Sequence, residues 1–115
     1  MSLPISVKTL TEKKLIEYFE KKIPSHVRDK ITVSFKFRGN SSTIFENRAP
    51  WHKDIKEWTS MPIAQIRYNE KTGEWTLYCA DRNDRWHEYF DLEPTKNLDE
   101  IIAEIDKDPT GIFWG

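Results

Sequence analysis

The chain has a single cysteine, Cys79. It can form no intrachain disulfide and no cysteine-based zinc site, which fits a reducing compartment. No apolar run approaches the roughly 18 residues of a membrane span, and the N-terminal stretch lacks a signal peptide's apolar core. A cytoplasmic location with no membrane partner is therefore expected. The formal net charge is only −1, too little to draw the whole molecule to nucleic acid, so a nucleic-acid site has to be a local patch. Short chemical signatures are missing as well. There is no P-loop and no dinucleotide fingerprint. His26, His52 and His87 are too scattered for H-x-x-x-H or H-E-x-x-H spacing. No metal and no cofactor are expected, and no motif favours an enzyme.

Large rings are what the sequence has in quantity. Only 37% of the residues are hydrophobic, but they include 5 Trp, 4 Tyr and 6 Phe, so few side chains can bury much area. A mean hydropathy of −0.73 marks a well-solvated surface. The rings are spread along the chain, which argues for a folded domain over disorder. The length suits one domain, residues 1–115.

Thr9-Leu10-Thr11-Glu12 has the pattern of a capping box. Leu15, Ile16, Phe19 and Ile23 follow at helical spacing, and Pro24 ends that helix. Ser25 to Lys30 can add one more turn. From Ile31 the period becomes two: Val33, Phe35 and Phe37 alternate with Thr32, Ser34, Lys36 and Arg38. Gly39-Asn40-Ser41-Ser42 is turn chemistry, and a second strand is expected from about Thr43 to Asn47. Pairing Phe37 with Phe45 places rings together on the core face and Lys36 opposite Glu46 on the other. Residues 48–62 look irregular; a helical turn is expected over Lys53–Trp58, with Trp51 and Trp58 packing the loop.

Two hairpins follow, built from Ile63–Tyr68, Glu74–Ala80 and Arg85–Phe90. With four-residue loops at Glu70–Gly73 and Asp81–Asp84, Tyr68 faces Trp75, Ile66 faces Leu77 and Ala64 faces Cys79. Cys79 then faces Trp86, and Trp75 faces Phe90. Glu88 alone interrupts the apolar face and needs a partner there, such as Arg82 or a main-chain amide. Cys79 falls on that face as an inert core thiol. Finally, Asn97 is placed to cap a helix carrying Leu98, Ile101, Ile102 and Ile105 on one stripe, and Pro109 stops it. Ile112, Phe113 and Trp114 come just after that stop, so the segment is expected to tuck into the fold. The fold class is α+β: an antiparallel meander of about five strands with an N-terminal and a C-terminal helix on one face.

Several stretches carry a family resemblance: Phe37-Arg38-Gly39-Asn40, Arg48-Ala49-Pro50-Trp51, Trp58, Trp75-Thr76-Leu77-Tyr78, Asp81-Arg82-Asn83-Asp84-Arg85-Trp86, and Ile105 through Gly115. The chain resembles a group of small bacterial proteins catalogued as domain of unknown function 3024. The resemblance implies a stand-alone cytoplasmic domain and attaches no activity to it.

The face opposite the apolar one is the candidate working surface. In these registers it presents Gln65, Arg67, Thr76, Tyr78, Arg85, His87 and Tyr89, with Lys36, Arg38 and Glu46 as an extension. Rings interleaved with arginine on an open antiparallel sheet are what single-stranded nucleic-acid platforms use; solvated Tyr and Arg stems covering a sheet look the same in sequence. The leading reading is a non-enzymatic binding or interaction module, with Arg67, Tyr78, Arg85, His87 and Tyr89 as binding residues. Its candidate partners are single-stranded nucleic acid, another protein or a second copy. The alternative is a small hydrolase or nuclease with Asp81, Asp84 and His87 at the second of these hairpins. Against it, Asp and Asn are also what a tight turn uses to satisfy its own amides.

Overall fold

The computed structural model describes residues 3–50, 52–54 and 56–114. Helix α1 spans Ile5–Lys22, and a 3-10 turn at Ser25–Val27 follows it. Strands β1 (Ile31–Arg38), β2 (Ser41–Arg48), β3 (Thr59–Asn69), β4 (Glu74–Ala80) and β5 (Trp86–Glu88) form one antiparallel sheet in the order β1-β2-β3-β4-β5. Helix α2 (Leu98–Lys107) closes the fold. Both helices cover the same sheet face, where Leu15, Phe19, Ile101 and Ile105 meet Ile44, Ile66, Trp75 and Leu77 in one core. The expected architecture is the one observed.

Helix α1 starts a turn earlier than the Thr9 pattern suggests. Pro4 precedes it with an extended backbone, and Lys8 N–H donates to the Pro4 carbonyl. Thr9 therefore lies inside the helix and caps nothing. Val7, Thr11, Leu15 and Phe19 form the inward stripe, and the buried Thr11 hydroxyl donates to the Val7 carbonyl four residues back. Ile16 is 47% exposed. At α2, Asn97 accepts from the Asp99 amide as its N-cap.

The β1–β2 register differs from expectation. Arg38 pairs with Ser41, which leaves only Gly39-Asn40 as the loop, and Gly39 takes φ 59. A two-residue hairpin with Gly first is favoured because it matches the strand twist. Asn40 is tied to the end of β3: it accepts from the Tyr68 amide and donates to the Tyr68 carbonyl. Phe37 now faces Ser42, and Phe35 faces Ile44. The change is an odd number of residues, so the faces of β2 exchange. Phe45 moves to the outer face, and Glu46 to the inner one, where it is 4% exposed and bonded to Arg48.

The β3–β4 register is as expected: Tyr68 pairs with Trp75, Ile66 with Leu77 and Ala64 with Cys79. The β2–β3 ladder has a bulge, since Ile44 pairs with Ala64 but Phe45 with Pro62. Ile63 is the extra residue, so Ile63 and Ala64 both point inward. Pro62 has no amide to donate, and a bulge is where a central strand tolerates that. β3 itself begins at Thr59, so the irregular stretch is shorter than expected. Its described residues contain no helix, and Trp58 is 44% exposed. Trp51 lies outside the described residues.

The β4–β5 register is displaced by one. Ala80 pairs with Trp86, Cys79 with His87 and Tyr78 with Glu88. The loop holds five residues, 81–85, and within it Asp84 adopts a left-handed conformation at φ 60. Asp81 closes it: its amide donates to the Arg85 carbonyl, and its carboxylate accepts from the Asn83 and Arg85 amides. Glu88 therefore leaves the apolar face and is exposed. Phe90, expected opposite Trp75, is 82% exposed, and Thr95 takes that place through two main-chain bonds to Trp75.

Cys79 stays inside despite the displacement. Its thiol contacts the His87 carbonyl, and burial pushes its pKa up. Since the thiolate is the reactive form, a thiol reagent added to native protein is expected to label Cys79 only as fast as the fold opens. Rapid second-order labelling without unfolding would place this thiol on the outer face.

Candidate functional site

The face away from the helices is organised in rows, because cross-strand partners share a face. Lys36, Thr43, Gln65, Tyr78 and Glu88 are successive partners from β1 to β5. Arg38, Ser41, Arg67 and Thr76 form a neighbouring row. On the other side, Ser34 pairs with Phe45 and Phe45 with Pro62, while Trp86 pairs with Ala80. The face is thus polar, with three rings of its own: Phe45, Tyr78 and Trp86.

Its side chains hold one another in place. Arg67 Nε donates to Gln65 Oε1 at 2.7 Å, and Gln65 Nε2 donates to Thr43 Oγ1 at 2.9 Å. The Arg67 guanidinium lies over the Tyr78 ring, 3.8 Å from its centre. Lys36 Nζ sits 5.6 Å from the centre of Phe45. Such cation–ring contacts contribute about 0.5–1 kcal/mol at exposed sites, and they leave the positive charge available. Among the described residues, none of Lys36, Arg38 and Arg67 forms an ion pair with a carboxylate. The acidic members of the face, Glu74 and Glu88, lie on β4 and β5, away from Lys36 and Arg38 on β1. Hollows open here among the described residues. One of about 450 Å³ is lined by Lys36, Arg38, Phe45, Pro62, Gln65 and Trp86, among others. Another, of about 300 Å³, lies beside Arg67 and Tyr78 at the Asn69–Lys71 turn.

Of the five binding residues expected from sequence, Arg67 and Tyr78 meet on this face. Arg85 lies in the hairpin loop, with its amide held by Asp81. His87 belongs to the inner parity of β5, yet it stands exposed at the sheet edge and bonds Asp81 Oδ2 through Nε2 at 2.7 Å. Tyr89 is 5% exposed and belongs to the core: its hydroxyl donates to Glu104 Oε2 at 2.6 Å, and its ring packs on Phe113. Both displacements follow from the five-residue loop, which inverts the parity of β5. Phe45 and Trp86, expected on the core face from the sequence pattern, stand outside. The signal for Phe45 was available in Gly39-Asn40, a dipeptide that favours a two-residue hairpin.

The second candidate site, at the β4–β5 hairpin, brings Asp81 and His87 together, with Asp84 exposed at the turn. The Asp81 carboxylate is engaged by two amides of its own loop as well as by His87. Among the described residues, no group of three His, Cys, Asp or Glu side chains is placed to hold a metal. The His87 contact, followed by the loop amides, lowers the Asp81 pKa from 3.8 to about 2. A carboxyl whose pKa is lower folded than unfolded stabilises the fold fully above its unfolded value. This contribution is therefore present above about pH 4 and is lost as pH falls toward 2. Asp81→Asn is expected to flatten the acid limb of stability between pH 4 and 2, read by urea unfolding at each pH. A limb of unchanged slope would show that the bond does not persist in solution.

A further groove of about 380 Å³ lies between α1 and β1, lined by Ile16, Phe19, Ile23, Val33 and Phe35. Its cation, Arg28, is bonded to the Ile23 and Glu20 carbonyls at the end of α1. That groove has shape and apolar surface, with its charge already committed to the helix end. No helix among the described residues is long and apolar enough to cross a membrane. No curated protein and no solved structure matches the chain. Residues 3–115 match the family described as a domain of unknown function, DUF3024, and the chain belongs to that family.

Proposed function

We propose that the protein is a binding module that works through its open sheet face, and that its ligand is a single-stranded nucleic acid. The observation that carries this reading is the Arg67–Tyr78 stack beside Lys36 and Arg38, three cations that form no ion pair with a carboxylate among the described residues, on a ring-bearing face. Bases stack on rings whatever their sequence, and phosphates meet the cations between them. A net charge of −1 means that the attraction is local, so few phosphates are neutralised.

Titration of fluorescent single-stranded oligonucleotides at low salt tests it. Binding is expected to weaken as salt rises, with a shallow slope. Tyr78→Ala should lose about 1–3 kcal/mol of binding, and Arg67→Gln should reduce the salt slope by about one phosphate contact. Absence of binding at micromolar protein removes the nucleic-acid reading and leaves a protein partner as the occupant of the face.

A further inference from the structure

We infer that the 450 Å³ hollow is a subsite for one nucleotide, with its base against Trp86 and its phosphate at Lys36 and Arg38. The inference deepens the nucleic-acid reading above and rests on it. The volume falls within the roughly 300–1,000 Å³ of small-ligand sites. Trp86 sits on β5, an edge strand, yet it lines the same hollow as Phe45 and Pro62. Its cross-strand partner is Ala80, the smallest side chain on that face, which leaves the indole room above the sheet. Trp86 is only half-buried, so ring surface remains to be stacked upon. β5 is short, but the Asp81–His87 bond and the Tyr89 amide to the Leu77 carbonyl hold both ends of it in register.

The hollow also separates its chemistry by side. Thr43 and Gln65 lie between the ring and the cations, and their mutual hydrogen bond fixes them. Gln65 keeps one amide hydrogen, and Thr43 its hydroxyl hydrogen, for the polar edge of a base. Lys36 and Arg38 stand on β1 at the far rim. Glu88 lies on the β5 side, where it repels an anion and disfavours the reversed pose. A planar uncharged ring joined to an anion is the ligand this polarity suits.

The test compares wild type, Trp86→Ala and Trp86→Phe with two ligands: a labelled single-stranded oligonucleotide and a nucleoside 5′-monophosphate. Trp86→Ala is expected to weaken oligonucleotide binding roughly 5- to 150-fold, the loss of one stacked base. Trp86→Phe should keep most of the affinity while losing the quench of tryptophan emission that the monophosphate produces in wild type. Lys36→Ala with Arg38→Ala should remove monophosphate binding. Oligonucleotide binding unchanged in folded Trp86→Ala overturns the subsite and leaves the strand reading standing. Monophosphate binding that depends on Trp86, with no oligonucleotide binding, supports the subsite and overturns the strand. Neither ligand binding wild type overturns both.

Discussion

Replacing Phe113 by Ala is expected to lower the unfolding free energy by about 3–5 kcal/mol. Phe113 is 3% exposed and packs its ring 5.2 Å from Tyr89. Asp108 is the main fastening of the segment that holds it. Asp108 ends α2 in a left-handed conformation at φ 43, and its carboxylate accepts from both the Phe113 and the Trp114 amides. Trp114 adds a bond from its indole N–H to the Ile105 carbonyl, one of the groups a helix end leaves unpaired. Lys22 lies over the Trp114 ring and joins the segment to α1. Ile112, by contrast, is 43% exposed. Ile112→Ala is therefore expected within about 1 kcal/mol of wild type. Only part of the apolar cluster is tucked in: Phe113 is the anchor. Denaturant unfolding of the two variants distinguishes them, and equal midpoints would mean that Phe113 does not dock.

Tyr89→Ala is expected to be as damaging, at about 3–5 kcal/mol, whereas Tyr78→Ala should cost about 1 kcal/mol or less. Sequence alone placed both on a wet face. In the fold, Tyr78 remains there and Tyr89 fills the space between the sheet and α2. Tyr89 also gives an alkaline signature. Burial, and then the Glu104 bond and charge, push its pKa up from 10.0. A group whose folded pKa is raised stabilises fully below its unfolded value and loses that contribution as pH rises beyond it. Stability is thus expected to fall from about pH 10 upward. Tyr18, raised by burial and then by Asp106, contributes in the same direction. Tyr89→Phe should remove its share of that slope while keeping the ring in place. Stability measured from pH 8 to 11 checks this, and identical slopes in the two proteins would exclude a buried phenol at position 89.

The β3–β4 hairpin was legible because its strands alternate cleanly and Gly73 marks the turn. The flanking hairpins were not, for a shared physical reason. β2 and the expected strand Arg85–Phe90, of which β5 is the start, carry rings or large aliphatics on both parities: Ile44 beside Phe45, and Trp86 and Phe90 beside Tyr89. Such strands can bury either face, so the length of the loop decides. Asp84 can adopt φ 60, but nothing in the residue type requires it. The core then selects: Glu104 and Phe113 accept Tyr89, and Ala80 leaves space over which Trp86 can lie outside. The polar half of the working face was legible for the same reason as β3–β4, since Arg67 and Tyr78 belong to that hairpin. Its ring half depended on the two loops and was not.

Strict neighbour-to-neighbour pairing of the five strands also bears on how the chain reaches this state during synthesis. Each strand that emerges finds its partner in the strand made just before it, so loop-closure entropy is paid in small steps and pairing is quick for a sheet. Helix α1 is the exception. It is made first, but its polar contacts Lys14–Asp99 and Tyr18–Asp106 are with α2, more than eighty residues later. Until then its apolar stripe has only the growing sheet to lie against. The interval between β1 and α2 is thus the period in which a nascent chain is most exposed to a chaperone or to a second copy of itself.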